Sequence, residues 1–369
     1  MAGFLIESIR LHRVTVPLKH PFTTHLQTVT ERESIVVEMT DCSGVVGLGE
    51  CVAFSSPWYT EETVQSCWDA LVNWLIPSVL HKEIEHPSMI SNHYEAIKGN
   101  HMAKAALDQA AWDLFARKQQ MPLWKVLGGV HQQVDAGVVV TWATETELEH
   151  KTEQAIKIGY KRIKIKINAS TNEGTLEKVI KRFPSTLFFA DANGSFSNAD
   201  MVDLQRFDTI GLTLIEQPFK EDEWDRYVEA SRLLTTPIAL DESLCSYRDV
   251  EDMITKKAGA IVVLKPGRMG GTTESLRVHD LCLSIGIPIW LGGMIDFGIS
   301  KAHSLALATL PGVTLPGDFS ASTHFWDEDL IQPPIVLKDG CIELADYPGI
   351  GVSLDYDVLK KHCIALYTS

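Results

Sequence analysis

The chain has 369 residues, 45% of them hydrophobic, and carries 33 Lys plus Arg against 48 Asp plus Glu for a formal net charge of −15. That length accommodates a β/α barrel with additional structure, and that hydrophobic fraction excludes a disordered chain. The acidic balance argues against nucleic acid or an anionic membrane surface as partner, but not against a small anionic substrate held by local charge.

In chain order, residues 4–17 alternate loosely through Ile6, Ile9, Leu11, Val14 and Val16 and predict a strand. Ser34–Met39 and Val45–Glu50 flank Asp41-Cys-Ser-Gly44 and predict a hairpin. Between them lies a polar loop at 21–28, and a second loop, Ala53–Tyr59, carries Ser55, Trp58 and Tyr59. Loops tied to a rigid scaffold are where substrates are selected. Thr60 ahead of Glu61 and Glu62 predicts a capped helix running through Val64, Trp68, Leu71 and Leu75 to Pro77. A weaker helix is expected over 88–98. A third, Ala103–Lys118, has a stripe of small residues that predicts close packing on a neighbour.

From about 134 the pattern changes. Strand-like runs recur at 136–142, 162–168, 187–193, 211–217, 237–242, 260–265 and 287–293, with helical segments such as Glu145–Ile158, Glu221–Leu234 and Thr272–Ser284 between them. An eighth, shorter strand is expected near Val313–Leu315. Steady alternation of β and α predicts a parallel sheet, and seven or eight units favour closure. A doubly wound open sheet would need a Gly-rich phosphate turn after its first strand, which the sequence lacks. The expected fold is therefore α/β: a (β/α)7–8 TIM-type barrel at 131–322 with an α+β capping domain built from 1–130 and a returning tail, 323–369, in which Ile335–Leu337 and Cys341–Leu344 are strand candidates.

Five charges stand on a ruler in this barrel. Lys166, Asp191, Glu216, Asp241 and Lys265 each close an apolar run, at intervals of 25, 25, 25 and 24 residues. Strand C-termini converge at one mouth of such a barrel, where active sites lie. A lone acid at a strand end is usually a salt bridge or a cap; three at equal pitch would repel at about 4 kcal/mol per close pair unless a cation intervened. All-oxygen donors favour Mg²⁺ over Zn²⁺, with Mn²⁺ as a substitute. Lys164 and Lys166 lie two apart on one strand and face the same way, so the first ammonium is expected to help the second give up its proton. Lys265, on the sixth strand, is expected opposite Lys166, with the substrate between the two amines and its carboxylate on the metal. Removal of a proton α to a carboxylate is the chemistry this suits.

The seven cysteines are scattered without a CxxC, which supports neither a zinc ribbon nor a disulfide framework and fits buried thiols in a reducing cytoplasm. Met1–Ser8 lacks the pattern of a signal peptide, and no membrane span is expected.

From end to end the chain resembles the enolase superfamily, muconate-lactonizing subgroup, and within it the o-succinylbenzoate synthase / N-acylamino acid racemase family. The resemblance rests on Lys164-Ile-Lys166, Asp191-Ala-Asn193, Ile215-Glu-Gln-Pro218, Leu240-Asp-Glu-Ser243, Lys265-Pro-Gly-Arg-Met-Gly-Gly271 and Gly292-Gly-Met294, with Pro316–Ser322 and Ser55–Tyr59 also matching. It implies Asp191, Glu216 and Asp241 as Mg²⁺ ligands, Lys166 and Lys265 as the acid/base pair, and Lys164, Asn193, Gly292, Met294, Ser55 and Trp58 around a small-molecule carboxylate substrate. Family members dehydrate 2-succinyl-6-hydroxy-2,4-cyclohexadiene-1-carboxylate to o-succinylbenzoate in menaquinone synthesis, or racemise N-acylamino acids; these reactions, and epimerisation of dipeptides, need the same five residues, whereas a non-catalytic binding protein on an inherited barrel would be expected to have lost at least one, and all five are present. A homo-oligomer is the expected assembly. Two stretches depart from the family pattern, Thr24-His-Leu-Gln27 and Ile295-Asp-Phe297, and both fall where substrate is chosen.

Overall fold

The computed structural model describes residues 3–23 and 27–369, so the expected loop at 21–28 falls partly outside the described residues, Thr24 among them. The N-terminal part is an antiparallel sheet. Phe4–Thr23 pairs with Thr28–Asp41, which pairs with Val46–Cys51, and the C-terminal strand Cys363–Thr368 adds to the outer side of Phe4–Thr23. The cap is thus closed by the returning tail. One face of the sheet carries Ile9, Leu11, Val37 and Met39, all fully buried.

Against that sheet lies the helix His101–Lys118. The approach is backbone to backbone: a Cβ on Gly47 would stand 2.1 Å from the Ala110 carbonyl, and one on Gly49 2.0 Å from that of Ala106. The stripe of small residues is explained by this contact. Two buried side chains of the helix then bond strand N–H groups that face it, Leu48 to Asp113 (2.8 Å) and Glu50 to Gln109 (3.2 Å).

Helix capping differs from the sequence expectation. The helix Val64–Ala70 is capped by Thr63, in a capping box with Ser66, rather than by Thr60, and it continues through a π-helical turn, Leu71–Leu75, to Val79. Glu62 instead accepts the Met102 N–H (3.0 Å) at the start of the long helix. The acid serves a helix terminus, but one reached through space rather than along the chain. The weaker helix is a 3-10 segment, Pro87–Tyr94.

The barrel strands are Gly137–Val140, Arg162–Lys166, Leu187–Asp191, Leu214–Glu216, Ile238–Leu240, Ile261–Leu264 and Ile289–Leu291, all parallel and in sequence order. The eighth position is a segment rather than a full strand: Val313 bridges Ile289 and Gly317 bridges Ala136. Gly137 donates to Gly317 (2.8 Å) and Asp318 to Leu291 (2.9 Å), which joins the two edges. Helices intervene as expected; Glu145–Ile158 has Thr144 as N-cap and Gly159 in the left-handed conformation at its end. Ile335–Leu337 is not a strand; Cys341–Glu343 is, and pairs with Gln133–Asp135.

Inside the barrel, Phe189, Leu214, Ala239, Ile261, Val263 and Trp290 form a separate apolar cluster. Two residues further along the same strands stand Asp191, Glu216, Asp241 and Lys265, so period-two alternation brings the charges to the same inward face, one layer higher. Cap and barrel meet at Glu50, whose carboxylate accepts the N–H groups of Phe297 (3.0 Å) and Ser300 (2.9 Å) at the start of the helix Gly298–Ala308. Burial and the Asp296 charge push Glu50 up to about 7. Among the described residues no helix is long and apolar enough to cross a membrane.

Candidate active site

Strand register sets the site. Lys166 lies beside Asp191, and Asp191 beside Glu216, as direct parallel neighbours. Asp241 follows two residues after Ala239, the neighbour of Glu216. The chain then turns sharply away: Asn193 (φ +40°) and Gln217 (φ +42°) are non-glycine residues in the left-handed region immediately past two of the carboxylates. Gln217 holds this turn, accepting the Asp241 N–H (2.9 Å) and donating to Ser243 Oγ (2.8 Å).

At one end of the row, Lys166 Nζ donates to Asp191 Oδ2 (2.7 Å) and to Asn193 Oδ1, with 27% of the side chain exposed. At the other end, Lys265 Nζ donates to Asp241 Oδ2 (2.8 Å) and the Tyr59 hydroxyl (2.9 Å). Burial pushes Lys265 toward neutrality, but Asp241 and Tyr59 more than offset it and hold it above its ordinary value. Burial likewise disfavours an ionised Asp241, yet Lys265 and Arg268 outweigh this and hold it well below the usual carboxylate range. Arg268 binds Asp241 Oδ1 and the Tyr59 hydroxyl, each at 2.6 Å.

Glu216, in the middle, behaves differently. Burial first, and then Asp191, push it well above the usual range. Its Oε2 is 3.2 Å from Lys164 Nζ but makes no hydrogen bond among the described residues. Directly after Asp241, Glu242 is pushed up to about 7 by burial and by Asp241, and its own Oε2 is buried without a partner among the described residues. Among the described residues the acids do not converge into a ready-made metal cluster, because each is turned onto a cation of the protein. The all-oxygen donor set, two orphaned carboxylate oxygens and the mutual repulsion of the row all fit a hard divalent cation.

Lys164, expected to help Lys166 give up its proton, is itself paired. Lys164 Nζ lies among Asp318 (2.9 Å), Asp191 (3.2 Å) and Glu216 (3.2 Å), over the Trp290 ring. Burial alone would favour the neutral amine, but the three carboxylates prevail and raise it.

One cavity of about 470 Å³ is lined by Lys164, Lys166, Asp191, Asn193, Asp241 and Lys265, and also by Trp58 and Met294. Two residues expected at the substrate do not line this cavity. Ser55 is exposed and does not line the cavity, because the chain around it turns Phe54 and Trp58 inward, their rings 4.5 Å apart. Gly292 does not line it either; a Cβ there would stand 2.6 Å from Lys265 Cε, so this glycine makes room for the lysine. Gly293 lines the cavity instead.

Sequence reasoning missed Tyr59, Glu242, Arg268 and Asp318. Asp318 had a signal, since it ends the eighth barrel position as the other acids end theirs. Tyr59 had none beyond being aromatic in a loop.

A model of the mandelate racemase / muconate lactonizing enzyme N-terminal domain matches residues 6–128, and an enolase C-terminal domain-like model matches 147–358. The chain is 42% identical to the o-succinylbenzoate synthase of Bacillus subtilis, over 97% of this chain and 96% of that one. It is 39% identical to the N-succinylamino acid racemase of Thermus thermophilus, over 96% of each. A crystal structure of an enolase superfamily member from Listeria innocua matches with a TM-score of 0.96 at 33% identity, covering 99% of both chains.

Proposed function

This chain belongs to the enolase superfamily, in its mandelate racemase / muconate lactonizing enzyme branch, and on that premise we propose that it is a magnesium-dependent o-succinylbenzoate synthase. The reaction is dehydration of 2-succinyl-6-hydroxy-2,4-cyclohexadiene-1-carboxylate. The observation that carries the chemistry is a cavity lined by Asp191 and Asp241 and bracketed by Lys166 and Lys265, with Glu216 buried on the strand between the two acids. The choice of substrate is supported by relatives 41–42% identical over nearly the whole chain that bear that name.

Asp191, Glu216 and Asp241 would hold Mg²⁺, with Mn²⁺ as a substitute. When bound, the ion supplies the positive charge that makes the α-proton of a substrate carboxylate removable. Lys166 takes that proton at Nζ. It is the more exposed of the two lysines, and Asn193 and Asp191 fix its position. The same Nζ then returns a proton to the departing hydroxyl, so elimination ends with the base restored. Lys265, kept charged by Asp241, faces the opposite side of the substrate and balances the negative charge that develops. Trp58 and Met294 give the cavity apolar walls that would exclude water from a bound substrate.

A second reading, racemisation of N-succinylamino acids, is favoured by the same symmetry: a lysine on each face allows a proton to leave on one side and arrive on the other. The two are separated by giving purified enzyme each substrate in Mg²⁺ and following ultraviolet absorbance and optical rotation. Loss of diene absorbance is the expected result; racemisation without dehydration contradicts the synthase assignment.

A further inference from the structure

Among the ionic groups lining the cavity, Lys301 has neither a role in the chemistry above nor a polar partner among the described residues. Lys301 projects from the helix Gly298–Ala308 and lines the same cavity, yet it is only 2% exposed and its Nζ makes no hydrogen bond among the described residues. Among the described residues its charge meets the Phe325 ring face, 5.7 Å away, and no stronger partner. A buried ammonium without an acceptor is costly, and such a group is retained where a ligand completes it.

The surroundings say what that ligand is. The helix follows the seventh barrel strand, whereas the reacting row is carried by strands two to six. The wall around Lys301 is otherwise aromatic and weakly basic: Phe22 packs edge-on to Phe325, and His324 to Phe325. Burial, and after it the Lys301 charge, hold His324 below its ordinary range, so it is a neutral neighbour near pH 7. The acid of this wall, Asp296, acts on Arg32 and Glu50 at the joint between cap and barrel. A site with one unmatched cation against aromatic faces suits an anion at the end of an apolar linker.

We propose that Lys301 is a specificity-determining residue that receives a second carboxylate, at the end of the substrate remote from the reacting carbon, so that the cavity selects dicarboxylic acids over monocarboxylic acids of the same shape. This rests on the proposed function for the position of the first carboxylate. For the synthase substrate the second carboxylate is the terminus of the succinyl arm, and for a racemase it would be that of an N-succinyl group.

The test is a cycle of two ligands and three proteins in Mg²⁺ buffer. Binding of o-succinylbenzoate and of 2-butanoylbenzoate, which lacks the terminal carboxylate, is measured by calorimetry for wild type, Lys301→Met and Lys301→Arg. Wild type is expected to prefer the diacid by about 10- to 100-fold. Lys301→Met loses that preference while holding the monoacid as before, and Lys301→Arg keeps most of it. Running the same cycle with N-succinyl- and N-butanoyl-phenylalanine separates this proposal from the synthase assignment, since failure of dehydration leaves the diacid preference intact in this second pair. No diacid preference by wild type in either pair, or a preference that survives in Lys301→Met, overturns the proposal. Equal weakening of both ligands in Lys301→Met, whether from misfolding or general damage, counts against it unless Lys301→Arg restores the diacid preference alone.

Discussion

The barrel interior has two layers built from the same strands, and they differ in every respect that matters. The lower layer is Phe189, Leu214, Ala239, Ile261, Val263 and Trp290, apolar and buried. The upper layer, two residues later on four of those strands, is Asp191, Glu216, Asp241 and Lys265, equally buried but ionic. Burial stabilises the first layer by removing apolar surface from water. In the second, burial works against the charges, and only their mutual pairing offsets it. The contrast is visible within single residues: Glu216 is driven toward its neutral form, while Asp241, gripped by Lys265 and Arg268, is held ionised. One scaffold thus separates the part that keeps the barrel folded from the part that is strained and functional.

That division can be broken at either layer. In the upper layer, Lys166→Ala should lower kcat by about 10³-fold, read by steady-state kinetics, with the melting temperature within a degree or two of wild type. A large loss of stability would mean that the two layers are not separate. In the lower layer the pattern reverses. Leu214→Ala, two residues before Glu216 and fully buried, should cost about 3 kcal/mol in denaturant unfolding, with kcat/KM changed only a few-fold. Glu216→Gln sharpens the comparison. It should weaken Mg²⁺ binding by at least about 10-fold in calorimetry, yet raise the melting temperature in chelator, because a neutral amide replaces a carboxylate that burial and Asp191 disfavour. A lower melting temperature in chelator would show that the Lys164 pairing outweighs this repulsion.

The smallest effect lies at the joint between cap and barrel. Glu50 titrates near 7 in the folded protein against an ordinary value of 4.5. An acid whose folded value is raised contributes stability below its unfolded value that is lost as pH climbs toward the folded one. Stability should therefore fall between about pH 4.5 and 7, and Glu50→Gln should flatten that slope in melting curves taken across the range. An unchanged slope would assign it to another group, such as Asp108, which is also pushed up to about 7 by burial.

Much of this was legible in the sequence, for a physical reason. A parallel strand buried on both faces must be an apolar run, so a charge that ends one stands out, and five at an even pitch mark both the barrel and its mouth. The two-residue offset between Phe189 and Asp191, or Leu214 and Glu216, is fixed by strand geometry alone. What could not be read were contacts between distant segments. Lys164 looks from the sequence like a bare charge beside Lys166, but Asp318, more than 150 residues away, meets its ammonium. Tyr59 reaches Lys265 and Arg268 from the cap, and Glu62 caps a helix that begins at His101. Gly292 matches the family at a position near substrate, yet its role is to clear space for Lys265. None of these has a local signature, since each depends on where two chain segments cross.

The most direct test of the account is the dehydration of 2-succinyl-6-hydroxy-2,4-cyclohexadiene-1-carboxylate, followed by ultraviolet absorbance, with enzyme stripped by chelator and then titrated with Mg²⁺. The account predicts background turnover in the stripped enzyme and full recovery as the ion is restored. Turnover that persists undiminished in the stripped protein would contradict it.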